Sequence, residues 1–143
     1  MYVKIVNNQP SVFPYTLSDL QRDNPQTSFP SVCTDSLLEL FSVYKVQTTP
    51  APVIDSKTHR IKQTVQKIDD VWTQAWIVVE ISLDQASNNV RGYRDRLLSE
   101  CDWTQLPDVS IDKVAWATYR QELRDITDQE GFPYNLIWPI KPA

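Results

Sequence analysis

Polar and apolar residues alternate along the first part of the chain and switch to a helical spacing near Ser82. Tyr2, Lys4 and Val6 alternate with Val3 and Ile5, the period of a strand whose successive side chains face opposite ways. Asn7-Asn8 reads as a turn, because asparagine tolerates left-handed backbone. Val12-Phe13-Pro14-Tyr15 is expected to return beside the first strand. Pro14 confines it to a sheet edge, since proline has no N–H for a second neighbour. Residues 16–20 predict a short capped helix stopped by Pro25. Residues 36–41 predict another, with Ser36 and Glu39 at capping-box spacing. Residues 41–47 alternate again and read as a strand, closed by a proline-rich link over 48–52. Residues 58–68 alternate polar and aliphatic side chains, and Asp69-Asp70 breaks the run. Residues 71–81 then set Trp72, Trp76 and Val78 on one face and Val71, Ile77, Val79 and Ile81 on the other. This predicts a hairpin with a two-residue turn, whose second arm, apolar on both faces, is expected to be central in its sheet.

Ser82-Leu83-Asp84-Gln85 has the spacing of a capping box and opens a helix. Ala86, Val90, Tyr93, Leu97 and Cys101 follow at helical intervals, with Leu98 beside them. Arg91 and Asp95, and Arg96 and Glu100, stand four residues apart on the opposite face and are expected to pair. Gly92 costs about 1 kcal/mol relative to alanine in a helix, which points to a close approach there. After a connector over 102–108, Ser110 is expected to cap a second helix. Its stripe is Ala115, Tyr119, Leu123 and Ile126, with Trp116 alongside, and it ends before Gly131. Residues 132–139 read as extended, because Pro133, Pro139 and Pro142 forbid a helix. The pattern predicts an α+β protein. A small N-terminal antiparallel β lobe with short helices occupies 1–82, and a two-helix hairpin with an extended Pro/Trp tail occupies 83–143.

Composition narrows the function. The chain has 143 residues and 41% hydrophobic content, enough for a real core in one domain or two small lobes. Its 2 glycines cannot supply a phosphate-binding loop and tight turns together. Its single histidine excludes a multi-histidine metal site and leaves one ordinary general base near neutral pH. No Gly-x-Ser-x-Gly, Walker or Rossmann pattern is present. The net charge of −4 gives no broad positive field, and residues 83–143 hold 7 basic against 10 acidic side chains. Nucleic-acid binding is therefore not expected. The longest apolar stretch, around 75–79, is far too short to span a bilayer, and the opening Met1–Asn8 has no signal-peptide core. Cys33 and Cys101 read as reduced thiols of a cytoplasmic protein. Cys33, His59 and Asp55 are nucleophile, base and orienter by residue type, but an ordinary thiol and a solvated histidine are the simpler reading. Asp69-Asp70 likewise reads as a turn, not as an acid/base or metal pair. No catalytic residue, metal ligand or cofactor is expected.

The aromatics carry more information. Trp72 and Trp76 read as packing residues of the hairpin. Trp103 lies in a connector and Trp138 in a proline-bounded tail. Local packing and partner contact are equally open to them, since exposed Trp, Tyr and Arg are frequent interface anchors. A two-helix hairpin must also cover its apolar seam with the tail, the β lobe or another chain, a homo-oligomer included.

Several ordered segments then resemble one family. They are Arg94-Asp95-Arg96-Leu97-Leu98, Cys101-Asp102-Trp103-Thr104-Gln105-Leu106-Pro107-Asp108, 116–126 with its Trp116, Tyr119, Arg120 and Gln121, Gly131-Phe132-Pro133, and Trp138-Pro139. Together they resemble the phage tail assembly chaperone domain of tailed bacteriophages, and more distantly the tail-fibre assembly proteins of lambda-like phages. Met1–Val6, Asn24-Pro25 and 71–76 look like the small β module that precedes this domain in some phage proteins. The resemblance implies a non-enzymatic protein of the host bacterial cytoplasm that binds a tail-fibre or other tail protein and aids its folding, oligomerisation or attachment. The alternative is a permanent virion component, an adaptor at the baseplate, tail tip or fibre. Trp103, Leu106, Trp116, Tyr119, Arg120, Phe132 and Trp138 are the candidate partner-binding residues. For Trp116, Tyr119 and Phe132 the competing role is to hold the hairpin together.

Overall fold

In the computed structural model, which describes residues 1–143, Asn7 and Asn8 adopt φ of 50° and 64°. That left-handed pair suits a two-residue hairpin, here between β1 (Tyr2–Val6) and β2 (Gln9–Tyr15), which pair antiparallel. The sheet order is β2-β1-β3, so β2 with its two prolines lies at an edge, where a missing N–H is tolerated. Helix α1 (Leu17–Asp23) opens on a full capping box. Asp19 N–H donates to Thr16 Oγ1 at 3.2 Å, and Thr16 N–H donates to the Asp19 carboxylate at 2.9 Å. Hydrogen bonds from Thr16 hold the Asp19 carboxyl below the usual carboxylate range.

Helix α2 (Asp35–Leu40) is capped by Thr34, whose hydroxyl accepts from Leu37 N–H at 3.3 Å. The cap therefore lies ahead of the expected Ser36. A start at Asp35 places a carboxylate in the first turn, where the helix dipole favours it. The strand expected from residue 41 is shorter. Phe41 closes α2 and Ser42 sits at φ 57°, so β3 spans only Val43–Lys45. Both faces of this sheet are covered. Val3 and Ile5 pack with Val46 and Val65, against Phe13, Tyr44 and Trp72. Tyr15 and Val43 pack with Leu20 of α1 and Leu38 of α2.

Strands β4 (His59–Ile68) and β5 (Val71–Glu80) form a two-stranded sheet, turned by Asp69 and Asp70 at φ 46° and 64°. The expectation of a central, doubly buried second arm is not met. Beyond β4, β5 has one isolated parallel bridge, Gln47 to Thr73. Gln74 is buried, Trp72 and Trp76 are half-buried, and Val71, Ile77, Val78 and Val79 are exposed. The link that follows the bridge runs Thr49-Pro50-Ala51-Pro52, and prolines have no N–H for a ladder.

The chain divides into two units, Met1–Val53 with Ile61–Val78, and Ile54–Arg60 with Val79–Ala143. In the second, Ser82 caps α3 (Leu83–Glu100), accepting from Gln85 N–H at 3.4 Å. A 3₁₀ turn over Asp102–Gln105 leads to α4 (Lys113–Arg124), which packs on α3. Asp112 caps α4, not Ser110, accepting from Val114 and Ala115 N–H at 3.1 and 3.0 Å. Its charge adds a dipole interaction that a serine hydroxyl lacks. The buried stripe is Trp116, Tyr119, Arg120 and Leu123, continued by Ile126 in a second 3₁₀ turn, Asp125–Asp128. Of the expected helix pairs, Arg96 meets Glu100 at 3.6 Å. Asp95 is taken by adjacent Arg94 at 2.7 Å, and Arg91 lies instead over the Phe132 ring at 5.3 Å. Phe132 to Tyr134 continue a turn, where an extended chain was expected, and only the last residues run without regular structure.

Gly92 has no neighbour within 4 Å of where a Cβ would stand. No close approach explains it, contrary to expectation. Gly92→Ala should therefore stabilise the protein by about 0.5–1 kcal/mol, because alanine gives up less backbone entropy in a helix. Urea unfolding followed by helical circular dichroism measures this, and a lowered midpoint would contradict it.

Candidate functional site

Where α3 ends, its last carbonyls need partners, and its last turn holds no basic residue. The partner comes from α4. Arg120 is only 7% exposed. Its Nη1 donates to Leu98 O at 2.9 Å and to Cys101 Sγ at 3.0 Å, and its Nη2 donates to Asp102 Oδ1 at 2.9 Å. Burial works against its charge, but the bonds to Asp102 and Cys101 outweigh that and hold its pKa above the ordinary value. Its Nε is buried without a partner. One side chain thus ties the end of α3, the 3₁₀ turn and α4 together.

Aromatic rings build on this knot. Trp116, nearly buried, meets Trp103 edge-on at 5.7 Å and Tyr119 at 5.8 Å. Burial pushes the Tyr119 hydroxyl pKa up. Cys101, Trp116, Tyr119 and Leu123 form the core here, with Trp138 of the tail packed against it. Trp138 also meets Tyr93 edge-on at 4.8 Å, and Lys57 Nζ stands 4.6 Å from the Tyr93 ring. The tail is pinned by polar contacts too. The Gln129 side chain accepts from Ile137 N–H at 2.9 Å and donates to Ile137 O at 2.8 Å. Tyr134 OH donates to Ile81 O at 2.7 Å. At Gly131 a Cβ would run into the backbone and Cβ of Asn135, so this glycine is required by space.

The candidate partner-binding residues fall into three groups. Trp116, Tyr119 and Arg120 are buried. Phe132 and Trp138 are half-buried, under Arg91 and against the core respectively. Trp103 and Leu106 are 46% and 53% exposed. Asp102 and Tyr93 were read as parts of a motif and of a helix stripe but not as site residues, and Lys57 and Gln129 were not among the candidate contacts. Asp102 stands beside Trp103 and was within reach, whereas no pattern announces a glutamine that bonds a backbone 8 residues on. The residues weighed for catalysis are locally engaged. Cys33 Sγ faces Pro30 O at 3.7 Å, His59 Nδ1 lies 2.8 Å from Thr58 Oγ1, and Lys57 Nζ pairs with Asp55 at 2.9 Å.

Residues 87–143 match the family described as phage tail assembly chaperone protein. The similarity is confined to that segment and does not extend over the β strands before it. No curated protein and no solved structure matches the chain. The description of that family is of a chaperone of phage tail assembly. The matched segment starts inside α3 and takes in the Arg120 knot, the aromatic cluster and the pinned tail. The separate motifs that suggested it, Asp102-Trp103, Trp116 with Tyr119-Arg120, and Trp138, meet in space around a single core.

The fold of residues 87–143 should depend far more on Arg120 than on its ionic partner. Asp102 is 65% exposed, so its share of the pair is screened by water. Arg120→Ala strands the Leu98 carbonyl and opens a cavity, and should cost about 2–4 kcal/mol. Asp102→Asn should cost under about 1 kcal/mol. Chemical unfolding of the two variants checks the order, and equal losses would show that the ion pair dominates.

Proposed function

We propose that residues 83–143 act as the working module, binding a tail-fibre or other tail chain in the host cytoplasm and aiding its folding or oligomerisation before it enters the tail. The observation that carries this reading is the exposure of Trp103 beside Leu106, at 46% and 53%, while its neighbour Trp116 in the same cluster is buried. A large aromatic held rigid by a buried ring and left half in water is the usual form of an interface anchor. Fibre chains awaiting assembly present unpaired strand edges and apolar patches, and covering them requires surface, not chemistry. In this reading Trp116, Tyr119 and Arg120 set the position of Trp103. Phe132 and Trp138 fix the tail, whose Ile137 and Ile140 side chains are 83% and 91% exposed and extend the apolar surface.

Co-expression with the tail and fibre proteins of the same phage, followed by pull-down, tests this. Trp103→Ala and Leu106→Asp should each reduce capture at least about tenfold, the equivalent of 1.4 kcal/mol, with the thermal unfolding curve kept. Full capture by both folded variants would remove Trp103 and Leu106 from the interface. For a chaperone that leaves before maturation, mass spectrometry of purified virions should find no stoichiometric copy of the chain. Its presence at fixed copy number would assign it the permanent adaptor role instead.

A further inference from the structure

We infer that residues 54–60 complete the module proposed to bind a tail chain, and that Lys57 is a positioning residue for Trp138. These residues lie in the same compact unit as residues 79–143, although the family match begins only at residue 87. Asp55 builds a turn there. Its carboxylate accepts from Lys57 N–H at 2.9 Å, and its carbonyl accepts from Thr58 and His59 N–H at 3.2 and 2.9 Å. An aspartate that bonds the backbone two residues on fixes a turn by local chemistry alone. The turn is then bound to the helical unit at three points. Asn89 Nδ2 of α3 donates to Lys57 O at 2.9 Å. Ile81 N–H donates to Thr58 O at 3.0 Å, and Thr58 is buried. The His59 ring meets Tyr134 edge-on at 6.1 Å, and Tyr134 is the residue whose hydroxyl bonds Ile81 O.

The turn delivers a cation to the C-terminal tail. Lys57 Nζ stands 4.6 Å from the centre of the Tyr93 ring and 6.0 Å from that of Trp138, and these two rings meet edge-on at 4.8 Å. Asp55 Oδ1 pairs with the ammonium at 2.9 Å and keeps it there. A cation beside aromatic rings is attracted by their negative faces, more strongly where water is displaced, and the Lys57 side chain is only 29% exposed. Tyr93 is fixed by α3, whereas Trp138 lies in a stretch without regular structure. No backbone ladder holds Trp138, so side chains set its position. Gln129 fixes the backbone of Ile137, and Lys57 with Tyr93 fixes the ring that follows. Loss of the ammonium therefore loosens Trp138, and with it the exposed Ile137 and Ile140 on either side. The role of Lys57 in capture rests on the function proposed above, whereas its hold on Trp138 does not.

Hydrogen exchange of the full chain, read at the Ile137 amide, tests that hold directly. Lys57→Met keeps the stem and removes the charge. It should speed exchange at Ile137 at least about threefold, with the amides of α3 and α4 unchanged. Lys57→Arg should recover most of the protection, because a guanidinium also rests on aromatic rings. In pull-down with the tail and fibre proteins of the same phage, Lys57→Met should weaken capture at least about threefold. That loss should vanish in a Trp138→Leu background, since the two side chains act as one unit. Exchange at Ile137 that Lys57→Met leaves unchanged, or that rises equally throughout α3 and α4, overturns the positioning role. So do capture losses that simply add in the double variant. If Trp138→Leu fails to fold, the exchange of Lys57→Met decides alone. A wild-type chain that captures no tail protein overturns the binding role of the module and of Lys57 with it, while exchange at Ile137 still decides the hold on Trp138.

Discussion

The C-terminal unit depends on a buried positive charge. Helix α3 ends with carbonyl groups that have no intrahelical partner and with the negative end of its dipole, yet its own last turn supplies no cation. Arg120 supplies one from the neighbouring helix and bonds Leu98 O directly. The same guanidinium reaches Cys101 and Asp102, so it also fixes where the chain leaves α3 and enters the 3₁₀ turn. Trp103 is the next residue. Its edge-on contact with Trp116, one helical turn before Arg120, follows from that fixed departure. A half-exposed tryptophan is useful as an anchor only if it is held, and here it is held from beneath.

The tail shows how a segment is ordered without secondary structure. Its prolines remove donors and bar a helix, so side chains of other segments take over the backbone pairing. Gln129 supplies both a donor and an acceptor to Ile137, as a strand neighbour does. Tyr134 ties the turn to Ile81, and Trp138 supplies the apolar anchor against the α3–α4 core. The tight turn at Gly131 leaves no room for a Cβ. Of the two glycines in the chain, this one answers a spatial need, and Gly92 answers none that the structure displays.

Local periodicity made most of the elements legible. Asn7-Asn8, Asp69-Asp70, the Thr16 cap and the Ser82 cap all read correctly, because each uses chemistry contained within a few residues. The errors arose where local signals compete. Ser36 and Ser110 are good cap residues, but Thr34 and Asp112 stand nearby and start their helices with more favourable charge or geometry. The apolar arm 71–81 read as a central strand because burial was inferred from composition. The structure gives it one full neighbour, and the prolines of a distant link stop the second. The surroundings of the candidate site were legible as a set of motifs but not as a geometry. Which aromatic is buried and which exposed depends on how α4 lies on α3, and no spacing states that.

Charge explains why apolar surface survives in only some places. The outer faces of α3 and α4 carry Arg94 with Asp95, Arg96 with Glu100, and the Gln121–Asp125 contact. Such faces are solvated and pair poorly with anything apolar. β4 has its lysines and an arginine. Against this background, exposed apolar side chains survive at several places, among them Trp103 and Leu106 of the connector, Ile137 and Ile140 of the tail, and Ile77 and Val78 of β5. Among these, Trp103 is the large aromatic backed by a buried ring. That backing sets it apart from the exposed aliphatic residues, because a side chain already held from beneath gives up less freedom when another surface closes over it.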